Sequence, residues 1–383
     1  MRLLHLADLH IGKILNGYSM LEDQRHILAQ VLDIVDREGA DVVLIAGDIY
    51  DRSIAPKEAL TLYNDFLAEL IIKRGLSVIA ISGNHDSGER LEAGSALTEA
   101  MSYYMEGTFK KDTRRITLKD EFGEVDFYPI AFADVAEVRL TLEEDSIRSF
   151  DEAMQETVER IELRDGVRSV ALAHCYAVSE ETDEEEKIDS QKPLSIGGKD
   201  FVKASYFSKF DYTALGHLHR RQKCLLPKIR YCGTLLKYSF SEETHTKSVL
   251  LVDLDSEGNV DIIEEEVFPL RNMRTIRGRF EEVLQSATTD VHKEDYVRFI
   301  LEDEELIHNA MSVLKSHYPY AMELRYEFRE REAKKFFSHR GEREKTILEM
   351  ASLFYEQNYE EPMDEITRDL VREVVEAIGG ESR

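Results

Sequence analysis

Ser82-Gly83-Asn84-His85-Asp86 closes the apolar run Leu76-Ser77-Val78-Ile79-Ala80-Ile81 and opens into a helix-like stretch, residues 88–101. A short apolar run bounded by Gly-Asn reads as a buried strand. A strand that ends in Gly-Asn-His-Asp carries an amide oxygen and an imidazole past the sheet edge, where open α/β sheets hold their chemistry. Alone, Gly-Asn is ordinary turn chemistry, since both residues tolerate left-handed backbone. Four other strand ends change that reading. Residues 3–7 run into Asp8-Leu9-His10, residues 41–46 into Gly47-Asp48-Ile49-Tyr50-Asp51, residues 170–173 into His174, and residues 212–215 into Gly216-His217-Leu218-His219. Each of the five runs delivers carboxylate, amide or imidazole donors to its end.

Working outward, residues 20–37 and 56–73 carry apolar positions at helical period and alternate with the first three strands. Strand–helix alternation at this spacing predicts a parallel sheet with right-handed crossovers. Residues 115–119 and 124–131 read as strands, followed by a helix over 150–163 and a strand over 168–174. Residues 247–255 and 259–267 read as an antiparallel pair. The expectation is an α/β fold, two sheets packed on each other with helices outside.

A boundary falls near residues 269–272, giving a main domain over 1–269 and a small α+β module over 270–330. The module combines strands at 274–280, 295–301 and 321–328 with helices at 280–286 and 304–317. Its basic residues include Arg271, Arg274, Arg277, Arg279, Arg298 and Arg325. Residues 331–383 hold the rest of a charged connector and two helices, 345–357 and 364–378. This pair either folds back on the core or docks on a partner helix.

A net charge of −27 over 383 residues argues against gripping nucleic acid by bulk electrostatics and leaves that task to local patches. The densest patch, Arg220-Arg221-Gln222-Lys223 with Lys228 and Arg230 beyond it, sits directly against His217 and His219 and suits phosphate contacts. The three cysteines, Cys175, Cys224 and Cys232, have neither zinc-type nor redox-type spacing and fit a reducing compartment. The first strand begins almost at once, leaving no room for a signal peptide, and no apolar run approaches a membrane span. A soluble, cytoplasmic protein is expected. The acidic run 179–191 reads as a solvated loop, without the spaced acidic-Gly pattern of a calcium site.

Aspartate, histidine and asparagine donors without thiolates suit borderline-hard divalent metals such as manganese, with iron or zinc as alternatives. Asp8, His10, Asp48, Asn84, His174, His217 and His219 are too many for one ion with open positions and about right for two, with Asp48 as the bridging carboxylate. Two ions clamp an in-line displacement at phosphorus. The bland reading, polar core residues with no metal, would bury four histidines and two aspartates side by side with nothing to neutralise them.

This set resembles the calcineurin-like metallophosphoesterase superfamily, which implies a four-layer αββα sandwich with a two-metal site. Leu4-His5-Leu6-Ala7-Asp8-Leu9-His10-Ile11-Gly12, Gly47-Asp48-Ile49-Tyr50-Asp51-Arg52 and the trailing small domain with its helix pair are similar to the SbcD family of bacterial nuclease subunits. That resemblance implies Asp8, His10, Asp48 and His219 on one Mn2+ and Asp48, Asn84, His174 and His217 on the other. It implies that His85 is no ligand but protonates the leaving oxygen or stabilises the charged phosphorane, with Asp86 orienting its imidazole. Asp51, three residues after Asp48, stands where archaeal and eukaryotic relatives carry a second catalytic-site histidine, and can pair with Arg52, a candidate DNA contact, or set strand geometry.

The implied activity is exonucleolytic on DNA duplex ends and endonucleolytic on single strands and hairpins, in DNA repair, recombination and replication. The implied partner is an SbcC-type coiled-coil ATPase docked on the terminal helix pair. The small module would act as a capping domain for DNA access, and residues 56–73 and 88–101 would form a homodimer within a heterotetramer. Protein phosphatases of this fold show Gly-Asp-x-x-Asp-Arg-Gly and Gly-Asn-His-Glu, whereas Arg52-Ser53 and His85-Asp86 stand here. A minimal cyclic-nucleotide phosphodiesterase has no place for the extra C-terminal hundred residues, and a non-catalytic scaffold would show gaps among the ligands.

Overall fold

Every residue of the strands Val42–Ala46 and Arg168–His174 is buried. A strand that is apolar on both faces belongs in the middle of a sheet covered on both sides. Each of these strands accordingly sits inside a six-stranded sheet. The computed structural model describes residues 1–179, 201–329, 348, 351–352, 355 and 363–377. The first sheet runs Val260–Glu266, Ser248–Leu254, Arg2–Leu6, Val42–Ala46, Ser77–Ile81, Tyr103–Glu106. Its last four strands are parallel, and the Ser248–Leu254 strand joins them antiparallel. The second runs Gln222–Cys224, Leu226–Tyr231, Tyr212–Gly216, Arg168–His174, Gly123–Ile130, Ile116–Asp120, with four parallel strands flanked by antiparallel edges.

One apolar cluster, including Leu3, Leu44, Ile79, Phe127, Leu172 and Tyr212, takes residues from both sheets and fills the space between them. The outer face of the first sheet is covered by helices Leu21–Glu38 and Lys57–Ala68 through Ile27, Val31, Leu62 and Phe66. The outer face of the second packs on helix Phe150–Glu159 through Val158, with Phe207 and Phe210. The fold is therefore the expected α/β sandwich of four layers. The sheets meet most tightly at the strand ends: a Cβ on Gly216 would collide with the carbonyl oxygen of Ala46 and stand 2.8 Å from Nδ1 of His174. Only glycine permits that approach.

Several boundaries differ from the sequence expectation. Residues 88–101 form not one helix but Gly88–Glu92, Ser95–Thr98 and a 3₁₀ turn Glu99–Met101, because Gly94 takes a left-handed conformation (φ 83°) between the first two. The helix of residues 56–73 ends in a π-helical turn, Glu69–Lys73. The expected helix at 304–317 is confined to Ala310–His317. Lys223 and Lys228, read as parts of a basic run, belong to the paired strands Gln222–Cys224 and Leu226–Tyr231. A helix at Val135–Leu142, capped by the Asp134 side chain at the N–H of Glu137, and a strand at Tyr103–Glu106 had no clear sequence signal. The acidic run beyond residue 179, the connector beyond residue 329 and most of the 345–357 helix lie outside the described residues.

By contact density the chain falls into two units: Met1–Ile276 with Val283–Phe299 and Asn309–Leu324, and Arg277–Glu282 with Ile300–His308 and Arg325–Arg383. The sandwich and all the strand-end donors belong to the first. Within it, buried Asp23 accepts hydrogen bonds from Arg271 (Nη1, 2.8 Å) and from the Tyr296 hydroxyl (2.6 Å), and the Arg271 guanidinium stacks 4.4 Å from the Tyr320 ring centroid. The three strands Met273–Gly278, Tyr296–Leu301 and Ala321–Tyr326 pair with Tyr296–Leu301 in the middle. In the second unit, helix Glu365–Ala377 exposes Leu370 and Val374 one turn apart.

Candidate metal centre

Parallel strands end together, so the donors that follow them arrive at one edge of the sandwich. Turning each donor inward requires unusual backbone. Asp8 (φ 52°), His10 (φ 44°), Asp48 (φ 50°) and His217 (φ 104°) all take left-handed conformations, a strain concentrated where side chains are aimed rather than packed. The turns are tied across strands: Asp8 N–H donates to the Gly47 carbonyl at 3.0 Å, His10 N–H to the Asp48 carbonyl at 2.9 Å, and His217 N–H to both Asp8 carboxylate oxygens at 3.0 Å. A Cβ on Gly83 would strike the Asp48 backbone and carboxylate, and one on Gly47 would strike the His174 ring.

The donors converge. His10 Nε2 lies 3.2 Å from His219 Nε2 and 3.7 Å from Asp48 Oδ2. Asp8, His10 and Asp48 offer atoms that all lie within 4.8 Å of one another. On the other side, His174 Nε2 is 3.5 Å from Asp48 Oδ2 and 3.0 Å from Asn84 Oδ1, and His217 Nδ1 is 3.3 Å from the same Asn84 oxygen. All seven residues predicted as ligands are thus brought together, with Asp48 between the two groups.

Burial sets the electrostatics. It pushes the Asp8 carboxyl well above the usual carboxylate range, and the Asp48 charge adds to the effect. Burial likewise raises Asp48 to about 6, against the opposing influence of His85. It depresses His174 to about 3 and carries His10 well below the ordinary imidazole value, with His219 next in effect. Crowded carboxylates short of countercharge beside neutral imidazoles are what a bound cation resolves. Among the described residues, Asp48 Oδ2 is buried with no hydrogen-bond partner. An orphaned carboxylate oxygen facing two imidazoles, within an oxygen and nitrogen donor set free of thiolate, fits a divalent metal. The three cysteines are free and buried.

His85 is the half-buried imidazole at the rim. Its Nδ1 is 3.0 Å from the Asp51 carbonyl, its N–H donates to Asp48 Oδ1 at 2.9 Å, and its ring crosses that of His10 at 4.9 Å between centroids. The orientation expected from Asp86 comes instead from Asp51. Asp86 accepts from the N–H groups of Ile49 (3.0 Å), Tyr50 (2.9 Å) and Gly83 (3.0 Å), clamping two strand-end turns together, and burial raises it to about 7. The Asp51 carboxylate pairs with Lys13 at 2.5 Å and stands 3.8 Å from His10 Nδ1 and 3.7 Å from exposed Arg52. Of the basic patch, Arg220 and Lys223 are exposed, whereas Arg221 donates to the Ser248 hydroxyl (2.6 Å) and pairs with Glu264 (2.9 Å).

Sequence reasoning missed the residues behind these donors. Glu242 Oε1 meets His219 Nδ1 at 3.1 Å, and its other oxygen pairs with buried Lys247 at 2.5 Å. Burial alone would raise Glu242, but the His219 hydrogen bond and the Lys247 charge outweigh it and hold the carboxyl near 2. Gln24 donates to the His10 carbonyl (2.8 Å) and to the Tyr238 hydroxyl (3.0 Å), which itself donates to the Leu9 carbonyl (2.7 Å). No local motif marks these residues.

Residues 1–221 match the model of the calcineurin-like phosphoesterase family, and residues 269–359 match that of the type 5 capsule protein repressor C-terminal domain. The chain is 33% identical over 326 residues to the SbcD component of the SbcCD nuclease of Staphylococcus epidermidis, covering 85% of each protein. Among solved structures, a dimetal phosphatase from Danio rerio is 13% identical with a TM-score of 0.39, covering 70% of this chain and 98% of that one. TT1561 of Thermus thermophilus is 12% identical, also with a TM-score of 0.39, over 69% and 98%. The chain belongs to the calcineurin-like phosphoesterase family of metal-dependent phosphodiesterases, and within it to the SbcD nuclease subunits.

Proposed function

We propose that this protein is a two-metal, manganese-dependent DNA nuclease that acts with an SbcC-type ATPase in DNA end processing and repair. The observation that carries the reading is the convergence of seven donor residues from five strand ends, six of them around Asp48, whose Oδ2 is buried without a partner among the described residues. Asp8, His10, Asp48 and His219 would hold one ion, and Asp48, Asn84, His174 and His217 the other. When bound, the pair supplies Lewis-acid polarisation of the scissile phosphate and neutralises its developing charge.

The chain's own residues do the rest. His85, fixed through Nδ1 by the Asp51 carbonyl, keeps its second ring nitrogen to deliver a proton to the departing oxygen or to stabilise its charge, a contribution of about 10²–10⁴-fold. Arg220, Lys223 and Arg52 are exposed cations suited to flanking phosphates, with Arg221 held against Glu264 behind them. Asp51 links Lys13 and Arg52 at the rim.

Residues 270–330 serve in this reading as the capping domain, residues 331–383 dock on the ATPase coiled coil, and residues 56–73 with 88–101 join two copies. The same reading makes the protein cytoplasmic and nucleoid-associated. Among the described residues no helix is long and apolar enough to cross a membrane.

The test is cleavage, in Mn2+, of an end-labelled duplex and a single-stranded hairpin, with and without the ATPase and ATP, beside a phosphomonoester and a cyclic nucleotide. Cutting of DNA is expected. Intact DNA together with hydrolysis of the small esters would replace the nuclease reading with a phosphatase or cyclic-nucleotide phosphodiesterase of the same fold.

A further inference from the structure

The geometry points to Glu242 and Lys247 as a buried positioning pair that fixes His219 for its metal. The inference rests on the metal reading above and asks what orients one ligand of it. His174, His85 and His219 each have Nδ1 held by a group outside the seven donors. His174 Nδ1 donates to the Ala46 carbonyl at 2.9 Å, and His85 Nδ1 stands 3.0 Å from the Asp51 carbonyl. His219 alone among them is backed by a carboxylate, Glu242, at 3.1 Å.

Glu242 and Lys247 are both buried, at 0% and 6% exposure. An ion pair there is costly to desolvate and contributes little net stability, so its placement calls for another role. The Lys247 ammonium gathers the surrounding turns onto itself. It donates to the His219 carbonyl (3.0 Å), the Thr234 hydroxyl (2.7 Å) and Glu242 Oε2 (2.5 Å). The Thr234 N–H donates to the His219 carbonyl as well, at 3.2 Å.

Backbone and ring of His219 are therefore fixed by one network. A carboxylate at Nδ1 keeps the ring proton there and leaves the Nε2 lone pair directed at the metal position, beside His10 Nε2 at 3.2 Å. Such partners of ligating histidines set ring orientation and basicity, and their loss typically weakens metal binding about 10–100-fold. Because the His174 side is backed by a backbone carbonyl instead, only one of the two ions is affected.

The test uses the full chain and Mn2+ binding isotherms on wild type, E242M/K247M and E242Q/K247M. Replacing both partners by residues of similar volume avoids an unpaired buried charge, so both variants keep the wild-type melting behaviour. In E242M/K247M one ion binds about 10–100-fold more weakly and the other is unchanged. E242Q/K247M, which retains an acceptor for Nδ1, recovers most of the loss. Wild-type affinity for both ions in E242M/K247M overturns the inference while leaving the metal centre intact. A wild-type chain that binds no Mn2+ overturns the metal reading and the inference together. Independently of any variant, ¹⁵N NMR of metal-free wild type should show the neutral His219 ring protonated at Nδ1; a proton on Nε2 overturns the positioning role.

Discussion

In the proposed reading, His85 separates catalysis from metal binding at the level of one side chain, although its ring also lies with His10 and Asp51 in a group able to hold an ion. It sits against His10 and Asp51, yet its nearest ring partner is a backbone carbonyl rather than the carboxylate cluster. His85→Ala should lower kcat on DNA about 10²–10⁴-fold while both ions still bind; loss of an ion instead would make His85 a ligand. The carboxylates set the pH response of the centre. Burial raises Asp48 to about 6, so below that pH the metal-free chain holds a proton that an incoming cation must displace. Mn2+ affinity should fall by at least about tenfold per pH unit below 6, since the Asp8 carboxyl is raised as well. An affinity independent of pH between 5 and 6 would contradict this. The sign for stability is opposite: a raised carboxyl pKa favours the folded apo chain at low pH, and that contribution is lost as pH rises through 6. Added Mn2+ should therefore raise the melting temperature more at pH 7.5 than at pH 5.

The donors were legible in the sequence because each lies within four residues after an apolar run, so local order already places it at a strand end. Glu242 was not. It meets a residue 23 positions away through a turn in its own segment, and nothing in Ser241-Glu242-Glu243 distinguishes it from a surface acid. Asp86 misleads for the reverse reason: it neighbours His85 in sequence, but tertiary packing gives its oxygens to three backbone amides.

Among the elements, the centre depends on how closely two sheets approach. The strands Val42–Ala46 and Tyr212–Gly216 come from different sheets, and Gly216 lets the Ala46 carbonyl and the His174 ring share one place. Gly216→Ala should cost on the order of 1–3 kcal/mol of stability or more and weaken Mn2+ binding, because the added methyl must push either the sheets apart or His174 out of line. Calorimetry with a metal isotherm checks this; an alanine variant with wild-type melting and metal affinity would show that the contact is not needed. Element order, parallel pairing and the two sheets followed from apolar runs and helical period. The break inside residues 88–101 did not, because a single left-handed glycine rather than a change of pattern ends that helix.

For the molecule as a whole, an acidic chain of net charge −27 that is proposed to cut DNA needs basic surface from elsewhere. The terminal helix Glu365–Ala377, with Leu370 62% and Val374 52% exposed, offers an apolar stripe for the ATPase proposed to supply it. A Leu370→Asp/Val374→Asp variant should lose co-purification with the ATPase while cutting single-stranded DNA alone at the wild-type rate. Undiminished association would move docking to another surface.

That five strand ends converge to hold two ions on one shared carboxylate is tested most directly by electron paramagnetic resonance of the chain titrated with Mn2+, wild type beside Asp48→Asn. An exchange-coupled pair is predicted at two equivalents in wild type, replaced in the variant by uncoupled or missing ions. A single ion, or two uncoupled ions in wild type, would contradict it.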